Sequence, residues 1–169
     1  MLEIANNLFE VIKDYRNNDG FEQTPERIIT WANQFGENAE FVLREVNHII
    51  PQVYFSKAKA KTSIFSQVKK LMQIFRYKSI TRFLADTEFL DLQPQHKSQK
   101  AILILLDEIL TAEYGESLEK YRKYPKINFV YFDDVLATGS TIGRDLVAWL
   151  SIIDSDGIRN ADHLLRDHY

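Results

Sequence analysis

One stretch of the chain constrains the fold more than any other, because it joins an apolar strand to an acidic pair, a small-residue loop and a helix. Residues 127–132 read Ile-Asn-Phe-Val-Tyr-Phe, an almost continuous apolar run that is typical of a strand buried on both faces of a parallel sheet. Asp133 and Asp134 follow directly, and an apolar helical pattern begins at Ile142. The sequence therefore predicts a strand, a loop and a helix of an α/β fold.

The residues between this strand and this helix suit a pentose phosphate. In open parallel sheets, ligands gather beyond the carboxyl ends of the strands, where Asp133 and Asp134 would emerge. Carboxylates accept hydrogen bonds from vicinal hydroxyls, while backbone amides and small hydroxyl side chains at a helix N-terminus favour a phosphate. Asp133 and Asp134 are therefore the candidate catalytic residues. The predicted phosphate loop contains Ala137, Thr138, Gly139, Ser140 and Thr141.

The segment from Phe129 to Thr141 resembles the phosphoribosyl diphosphate (PRPP) motif of type I phosphoribosyltransferases. In that motif, an apolar strand is followed by two acids and a short loop to Thr-Gly-x-Thr. The resemblance implies that Asp133 and Asp134 hold the ribose hydroxyls, that residues 138–141 cradle the 5-phosphate, and that Mg²⁺ is bound through the PRPP diphosphate with no direct protein ligand. The layout of the whole chain more nearly resembles the phosphoribosyltransferase-like domains of bacterial conflict and antiphage systems, including retron-associated effectors, which implies a defence effector.

The same resemblance places a diphosphate loop after the first core strand, at residues 95–99. Lys97 and the amide of Ser98 suit an anionic group. This second match is weaker, because the loop has no glycine to let the backbone approach phosphate oxygens. The alternative is that Ser98 only caps the following helix.

The remaining pattern predicts three regions. Residues 1–82 form a helical or winged-helix-like N-terminal unit, with Thr24 capping a helix that starts at Pro25, a later helix that stops at Pro51, and Trp31 and Phe35 in the core. Residues 83–153 form a partial phosphoribosyltransferase-like core with a first strand near residues 88–92 and a helix that includes Ala101 to Leu110. Residues 154–169 form a polar tail in which the histidines are exposed.

Only two strands are visible in this core, so the sheet is expected to be unfinished. A two-stranded parallel sheet leaves apolar faces and edges uncovered. We therefore expect either a truncated chain or completion of the sheet by a partner chain or by a second copy in a homo-oligomer.

Charge is distributed unevenly along the chain. Residues 56–83 contain eight basic and no acidic side chains, whereas the remainder contains 13 basic and 24 acidic ones. The basic helix could contact nucleic acid, and the candidate contacts on it are Lys57, Lys59, Lys61, Lys69 and Lys70. The alternative is a solvated face, or one that lies against the acidic part of the same chain.

The composition of the chain argues against several kinds of metal site and against a membrane protein. The chain has no cysteine and four scattered histidines, which argues against disulfides, thiolate metal sites and a histidine metal centre. It has no apolar run of about 18 residues and no basic-then-apolar leader. We expect a soluble, cytoplasmic protein with no membrane partner.

Three functions stay open at the level of the sequence. The first is an enzyme, a PRPP-dependent or phosphoribosyl-releasing transferase, although no catalytic base is assignable. The second is a non-catalytic subunit that senses PRPP or a nucleotide or binds nucleic acid. The third is a nucleotide-binding crossover unrelated to PRPP, since paired acids at a strand end also bind magnesium in phosphotransfer folds.

Overall fold

The computed structural model describes residues 1–15, 20, 22–94, 97–134 and 139–166. The chain divides into two compact units, Met1–Thr62 and Ser63–Tyr169, and the boundary falls within a helix. The domain limits expected at residues 82 and 153 stay predictions. Among the described residues, no helix is long and apolar enough to cross a membrane.

The described part of the first unit is built from helices. These are α1 (Leu2–Ile12), α2 (Pro25–Asn33), a 3-10 turn (Gly36–Asn38), α3 (Ala39–Val53) and the start of α4 (Lys57–Ile74). Their apolar stripes meet in a small core of Ala5, Leu8, Ile28, Ala32 and Leu43. The predicted cap is present, because the Thr24 hydroxyl accepts a hydrogen bond from the amide of Arg27 at 3.3 Å and Pro25 is the first helical residue.

Two predictions for this unit are wrong. Helix α3 does not stop at Pro51 but continues to Val53, because a proline in the last turn removes only the hydrogen bond to the carbonyl of Asn47. Trp31 and Phe35 are not core residues, since 43% and 40% of their surfaces are exposed. Their rings pack edge to face with centroids 5.3 Å apart.

The lysines of α4 do not share one environment. Lys59, Lys69 and Lys70 are exposed, whereas Lys57 and Lys61 are half-buried. The reason is helical geometry: residues 57, 61, 64 and 68 lie on one stripe, and Ile64 and Val68 are buried on it. The structure thus separates the predicted basic residues into an outward-facing set and a set on the core side.

The second unit has a helix and strand pattern around one small sheet. Its elements after α4 are α5 (Ile80–Asp86), β1 (Thr87–Phe89), α6 (Ser98–Tyr114), α7 (Leu118–Tyr121), β2 (Asn128–Val130), α8 (Ser140–Leu150) and α9 (Asn160–Arg166). Helices α5 and α7 were not expected from the sequence. Each is short, at seven and four residues, and so carries too few turns for a clear apolar period.

The sheet is parallel, as the strand, helix and strand order predicts. Thr87 pairs with Asn128, Glu88 with Phe129 and Phe89 with Val130. The last ladder bond runs from the amide of Leu90 to the carbonyl of Val130 at 2.8 Å. Both strands therefore end at the same edge, and the segments that follow them start side by side.

The two strands share one apolar core with α4, α5, α6 and α7. The buried residues of this core are Ile64, Val68, Phe83, Leu84, Phe89, Leu103, Leu106, Ile109, Leu110, Tyr121 and Val130. Phe89 also stacks on Phe132, with ring centroids 5.7 Å apart and nearly parallel planes. This packing fixes the chain just beyond the end of β2, where the acidic pair begins.

The described residues form a sheet of two strands only, consistent with the partial core that the sequence predicts. Helix α8 has no buried residue, and Val147 is 65% exposed on it. The expected completion of the sheet by a partner chain or a second copy stays a prediction.

Candidate ligand-binding site at the strand ends

The acidic pair lies directly beyond β2. Asp133 is half-buried and Asp134 is exposed. A carboxylate oxygen of Asp133 accepts a hydrogen bond from the amide of Asp134 at 3.0 Å, which turns the chain sharply after the strand. Both carboxylates are thereby held at the edge of the sheet where the sequence predicts ligand binding.

Helix α8 begins a few residues later, at the end of the predicted phosphate loop. Its N-cap is Gly139, whose φ of 73° lies in the left-handed region that favours glycine. Ser140 and Thr141 are the first two helical residues, and the first-turn bond runs from the amide of Gly143 to the carbonyl of Gly139 at 2.9 Å. Ala137 and Thr138 lie outside the described residues.

The predicted diphosphate loop ends at the start of α6. Lys97 is the N-cap of that helix and Ser98 its first residue, so the interpretation of Ser98 as the cap is wrong. The Ser98 hydroxyl instead donates a hydrogen bond to a carboxylate oxygen of Asp134 at 2.8 Å. Two segments that the sequence treats separately, the loop after β1 and the acidic pair after β2, are therefore in direct contact.

A buried glutamine connects the same two segments, and sequence reasoning missed it. Gln99 has no exposed surface. Its amide oxygen accepts hydrogen bonds from the backbone amides of Leu92 at 2.8 Å and Gln93 at 2.9 Å. Its amide nitrogen donates to the carbonyl of Phe132 at 3.2 Å. The side chain thus bridges the chain after β1 to the chain after β2.

A second missed network surrounds Tyr131. Its hydroxyl accepts a hydrogen bond from the Gln93 side chain at 2.7 Å and donates one to Asp145 of α8 at 2.9 Å. Burial raises the pKa of Tyr131 above its ordinary value; the hydrogen bond from Gln93 opposes this shift, and the Asp145 carboxylate adds to it. The phenol therefore stays protonated, and it links the loop after β1 to the helix after β2.

A signal for Gln99 was present in the sequence. Residues 99, 103, 106 and 110 lie on one helical stripe, and Leu103, Leu106 and Leu110 are buried. A glutamine at the head of such a stripe must satisfy its amide inside the protein. No comparable signal exists for Gln93, Tyr131 and Asp145, which are far apart in the sequence.

A cavity of about 360 Å³ lies elsewhere in the second unit, between β1, α6 and α7. Glu88 lines it, and burial raises the pKa of this carboxyl, while Lys126 and Arg122 oppose that shift. Asp133, Asp134, Ser140 and Thr141 do not line it. The cavity is therefore separate from the candidate site.

The candidate site provides few metal ligands of its own. In the part of the chain that the structure describes, no group of three or more His, Cys, Asp or Glu side chains is arranged to hold a metal ion. Asp133 and Asp134 offer the hard oxygen ligands that Mg²⁺ prefers, but as a pair rather than a cage.

Comparison with known proteins identifies the family. The chain matches the family model PRTase-CE over residues 28–165. The chain belongs to the PRTase-CE family. It is a phosphoribosyltransferase-like protein, as the motif from Phe129 to Thr141 predicts. Comparison with curated proteins and with solved structures gave no match.

The family match also includes much of the helical N-terminal part of the chain. It begins inside α2 and ends inside α9, so it includes α3, α4 and both strands. In the PRTase-CE family, these helices are therefore part of the region that the family shares. The expected antiphage role stays a prediction.

Proposed function

We propose that the chain binds PRPP or a ribose 5-phosphate nucleotide beyond the ends of β1 and β2. One observation carries the proposal: the hydroxyl of Ser98 contacts the carboxylate of Asp134 at 2.8 Å. This contact brings the predicted diphosphate loop and the predicted ribose-binding acids together in one site. The ligand has the same two parts, a diphosphate and a ribose 5-phosphate.

The acids suit the ribose. Asp133 and Asp134 are neighbours in the chain. The hydrogen bond from the backbone amide of Asp134 to the carboxylate of Asp133 restricts the turn that separates the two carboxylates. Ionised carboxylates accept hydrogen bonds from hydroxyls more strongly than neutral groups do. The vicinal 2- and 3-hydroxyls of a ribose are the matching donors.

The two helix starts suit the phosphates. Neither Lys97 of α6 nor Gly139 of α8 forms a side-chain cap hydrogen bond, and the positive end of each helix dipole favours an anion. In this proposal, α8 binds the 5-phosphate and α6 the diphosphate. Magnesium arrives with the diphosphate and neutralises part of its charge.

Isothermal titration with magnesium and PRPP tests the proposal. The wild-type chain is compared with Asp133→Asn/Asp134→Asn, which keeps the shape of the acids and removes their charge. We expect saturable binding by the wild type and a loss of about 100-fold in the double variant, since hydrogen bonds to charged groups are worth about 1.5–3 kcal/mol each.

A matched control variant distinguishes loss of the site from a change in the net charge of the protein. Asp156→Asn/Asp162→Asn removes two negative charges from exposed positions near the end of the chain and should leave the affinity unchanged. Undiminished PRPP binding by the Asp133 and Asp134 variant would refute the proposed site, and absence of binding by the wild type at millimolar PRPP would refute the proposed function.

The basic helix supports a second candidate, contact with nucleic acid phosphates. The favouring observation is that Lys59, Lys69 and Lys70 are exposed within a segment that lacks acidic residues. Replacement of these three lysines by glutamine should weaken binding to single-stranded RNA or DNA and reduce its salt dependence, because each released counterion contributes to the slope. Lys120→Gln/Lys123→Gln, at exposed positions outside the segment, is the control. Equal affinity and equal slope in all variants would exclude this role.

A further inference from the structure

Gln99 combines complete burial with three hydrogen bonds of its side-chain amide. Two backbone N–H groups face its oxygen and one backbone carbonyl faces its nitrogen. This set of neighbours fixes which end of the amide is the oxygen, since the opposite orientation would set donors against donors. The three hydrogen bonds form an arrangement that a hydrophobic side chain of the same size cannot reproduce.

The three hydrogen bonds of Gln99 lie beyond the end of the backbone ladder between the strands. The ladder between the strands ends with the bond from Leu90 to Val130, yet Gln99 contacts Leu92 and Gln93 on one side and Phe132 on the other. The side chain therefore continues the connection between the two segments beyond the point where backbone pairing stops. Without it, two part-buried amides and one carbonyl lose their partners.

Both neighbours of this bridge belong to the proposed site. Ser98, which precedes Gln99, donates to Asp134. Phe132, whose carbonyl Gln99 binds, directly precedes Asp133. A shift of α6 against the end of β2 would therefore change the distance between the diphosphate loop and the acidic pair.

We propose that Gln99 is a positioning residue that sets the register between the loop after β1 and the acids after β2, so that the diphosphate and the ribose 5-phosphate of one ligand bind at the same time. This inference rests on the proposed function. Gln99 acts through Ser98, Asp133 and Asp134 and is itself shielded from the ligand by its burial.

The proposal predicts a selective defect. PRPP contacts both segments, whereas ribose 5-phosphate contacts mainly the segment after β2 and magnesium pyrophosphate mainly the segment after β1. Loss of register should weaken PRPP binding and leave the binding of either fragment nearly unchanged, because the advantage of a joined ligand depends on geometry. A general loss of stability would not weaken the binding of PRPP while leaving the affinities for the two fragments nearly unchanged.

Gln99→Glu is the sharpest variant. In its ionised form it retains an oxygen that accepts from Leu92 and Gln93 but replaces the donor to Phe132 with a second acceptor, which breaks the bond across to β2 and adds a buried negative charge. Gln99→Met removes all three hydrogen bonds at similar volume. Ile109→Val, a buried change on the same helix, is the control for modest destabilisation.

The experiment measures the affinities of the three probes by titration calorimetry for the wild type and the three variants, with thermal unfolding to verify folding. For Gln99→Glu we expect PRPP affinity to fall about tenfold, roughly the effect of one buried hydrogen bond. The affinities for ribose 5-phosphate and for magnesium pyrophosphate should change by less than about twofold, and Ile109→Val should preserve all three.

Two negative outcomes are distinguishable. If the wild type binds PRPP but Gln99→Glu weakens all three probes equally, or none of them, the positioning role is wrong while the proposed function stands. If the wild type binds none of the three probes, the proposed function fails and the positioning role fails with it. Should Gln99→Met not fold, Gln99→Glu alone decides between these outcomes.

Discussion

The helices of this chain begin in two different ways. Helices α2, α4 and α5 start on a hydroxyl of Thr24, Ser56 and Ser79, each of which accepts the amide three residues later at 3.3–3.4 Å. The start of α7 is bound by Asp107, which accepts the amide of Leu118 at 2.7 Å. In contrast, the N-cap residues of α6 and α8, which are Lys97 and Gly139, form no side-chain cap hydrogen bond. Helix α1 starts near the first residue and α3 continues from a 3-10 turn, so neither belongs to this comparison.

The difference separates structural helix starts from starts that can bind a ligand. A hydroxyl or carboxylate that accepts a first-turn amide stabilises the helix but occupies a donor that an anion would use. Helices α6 and α8 begin beyond the carboxyl ends of the two parallel strands, where ligands bind in open sheets. The local loss of stability and the proposed anion site thus have the same origin.

Among the helix starts, the largest effect is expected at Gly139. Its φ of 73° costs a residue with a Cβ about 1–2 kcal/mol, so Gly139→Ala should lower stability and, by shifting the start of α8, reduce PRPP affinity about tenfold. Gly157 has a φ of 77°, and no atom lies within 4 Å of the position that a Cβ would take there. Gly157→Ala should cost similar stability without loss of affinity. Equal affinity of both variants in titration calorimetry would contradict the role of the α8 start.

The next effect concerns a capped helix. Thr24→Ala removes the cap of α2 and should lower the free energy of unfolding by about 1 kcal/mol, measured by urea denaturation. PRPP affinity should not change, because this cap serves only the helix. Thr30→Ala, on the exposed side of the same helix, is the control and should have a smaller effect. A change in PRPP affinity on removal of Thr24 would break the distinction between the two kinds of helix start.

A smaller effect is expected when a side-chain cap is introduced at the start of α6. Lys97 has the extended backbone of an N-cap, with φ of −93° and ψ of 158°, so Lys97→Ser can place a hydroxyl on the first-turn amides of α6. Compared with Lys97→Ala, which loses the same charge, the serine variant should be more stable by about 0.5–1 kcal/mol and bind PRPP a few-fold more weakly. If the serine variant binds PRPP as tightly as the alanine variant, the amides of α6 do not contact the diphosphate.

The smallest effect is a pH dependence at the start of α4. Asp14 accepts hydrogen bonds from the Tyr54 hydroxyl at 2.6 Å and the Lys57 amide at 2.5 Å. Burial alone would raise the pKa of Asp14, but these hydrogen bonds outweigh it and lower the pKa below its ordinary value. The resulting stability is present above about pH 4 and is lost as the pH falls through the lowered pKa of the folded state.

Urea denaturation at neutral pH and below about pH 4 measures this contribution. Asp14→Asn should be less stable than the wild type at neutral pH and should lose less stability on acidification. Glu10→Gln, at an exposed position in α1, should follow the wild type. Parallel pH profiles of the wild type and Asp14→Asn would show that the carboxylate does not stabilise this helix start.

Local sequence was sufficient where the evidence lies within a few residues. The Thr24 cap, the β2 strand, the acidic pair and the presence of a helix after the predicted phosphate loop all follow from patterns shorter than about 15 residues. The wrong predictions for Pro51, Trp31 and Phe35 also have local causes. Pro51 does not stop α3, because a proline in the last turn removes a single bond, and Trp31 and Phe35 pack on each other at the surface rather than in the core.

By itself, the sequence determined the family, the parallel strand pair and the chemistry of the residues from Phe129 to Thr141, because these depend on residue type and spacing along the chain. The tertiary structure decided what joins the two strand ends. Ser98 contacts Asp134, Gln99 spans from Leu92 to Phe132, and Tyr131 connects Gln93 to Asp145. Such contacts depend on the register of distant segments after the core has packed, and no spacing along the chain specifies that register.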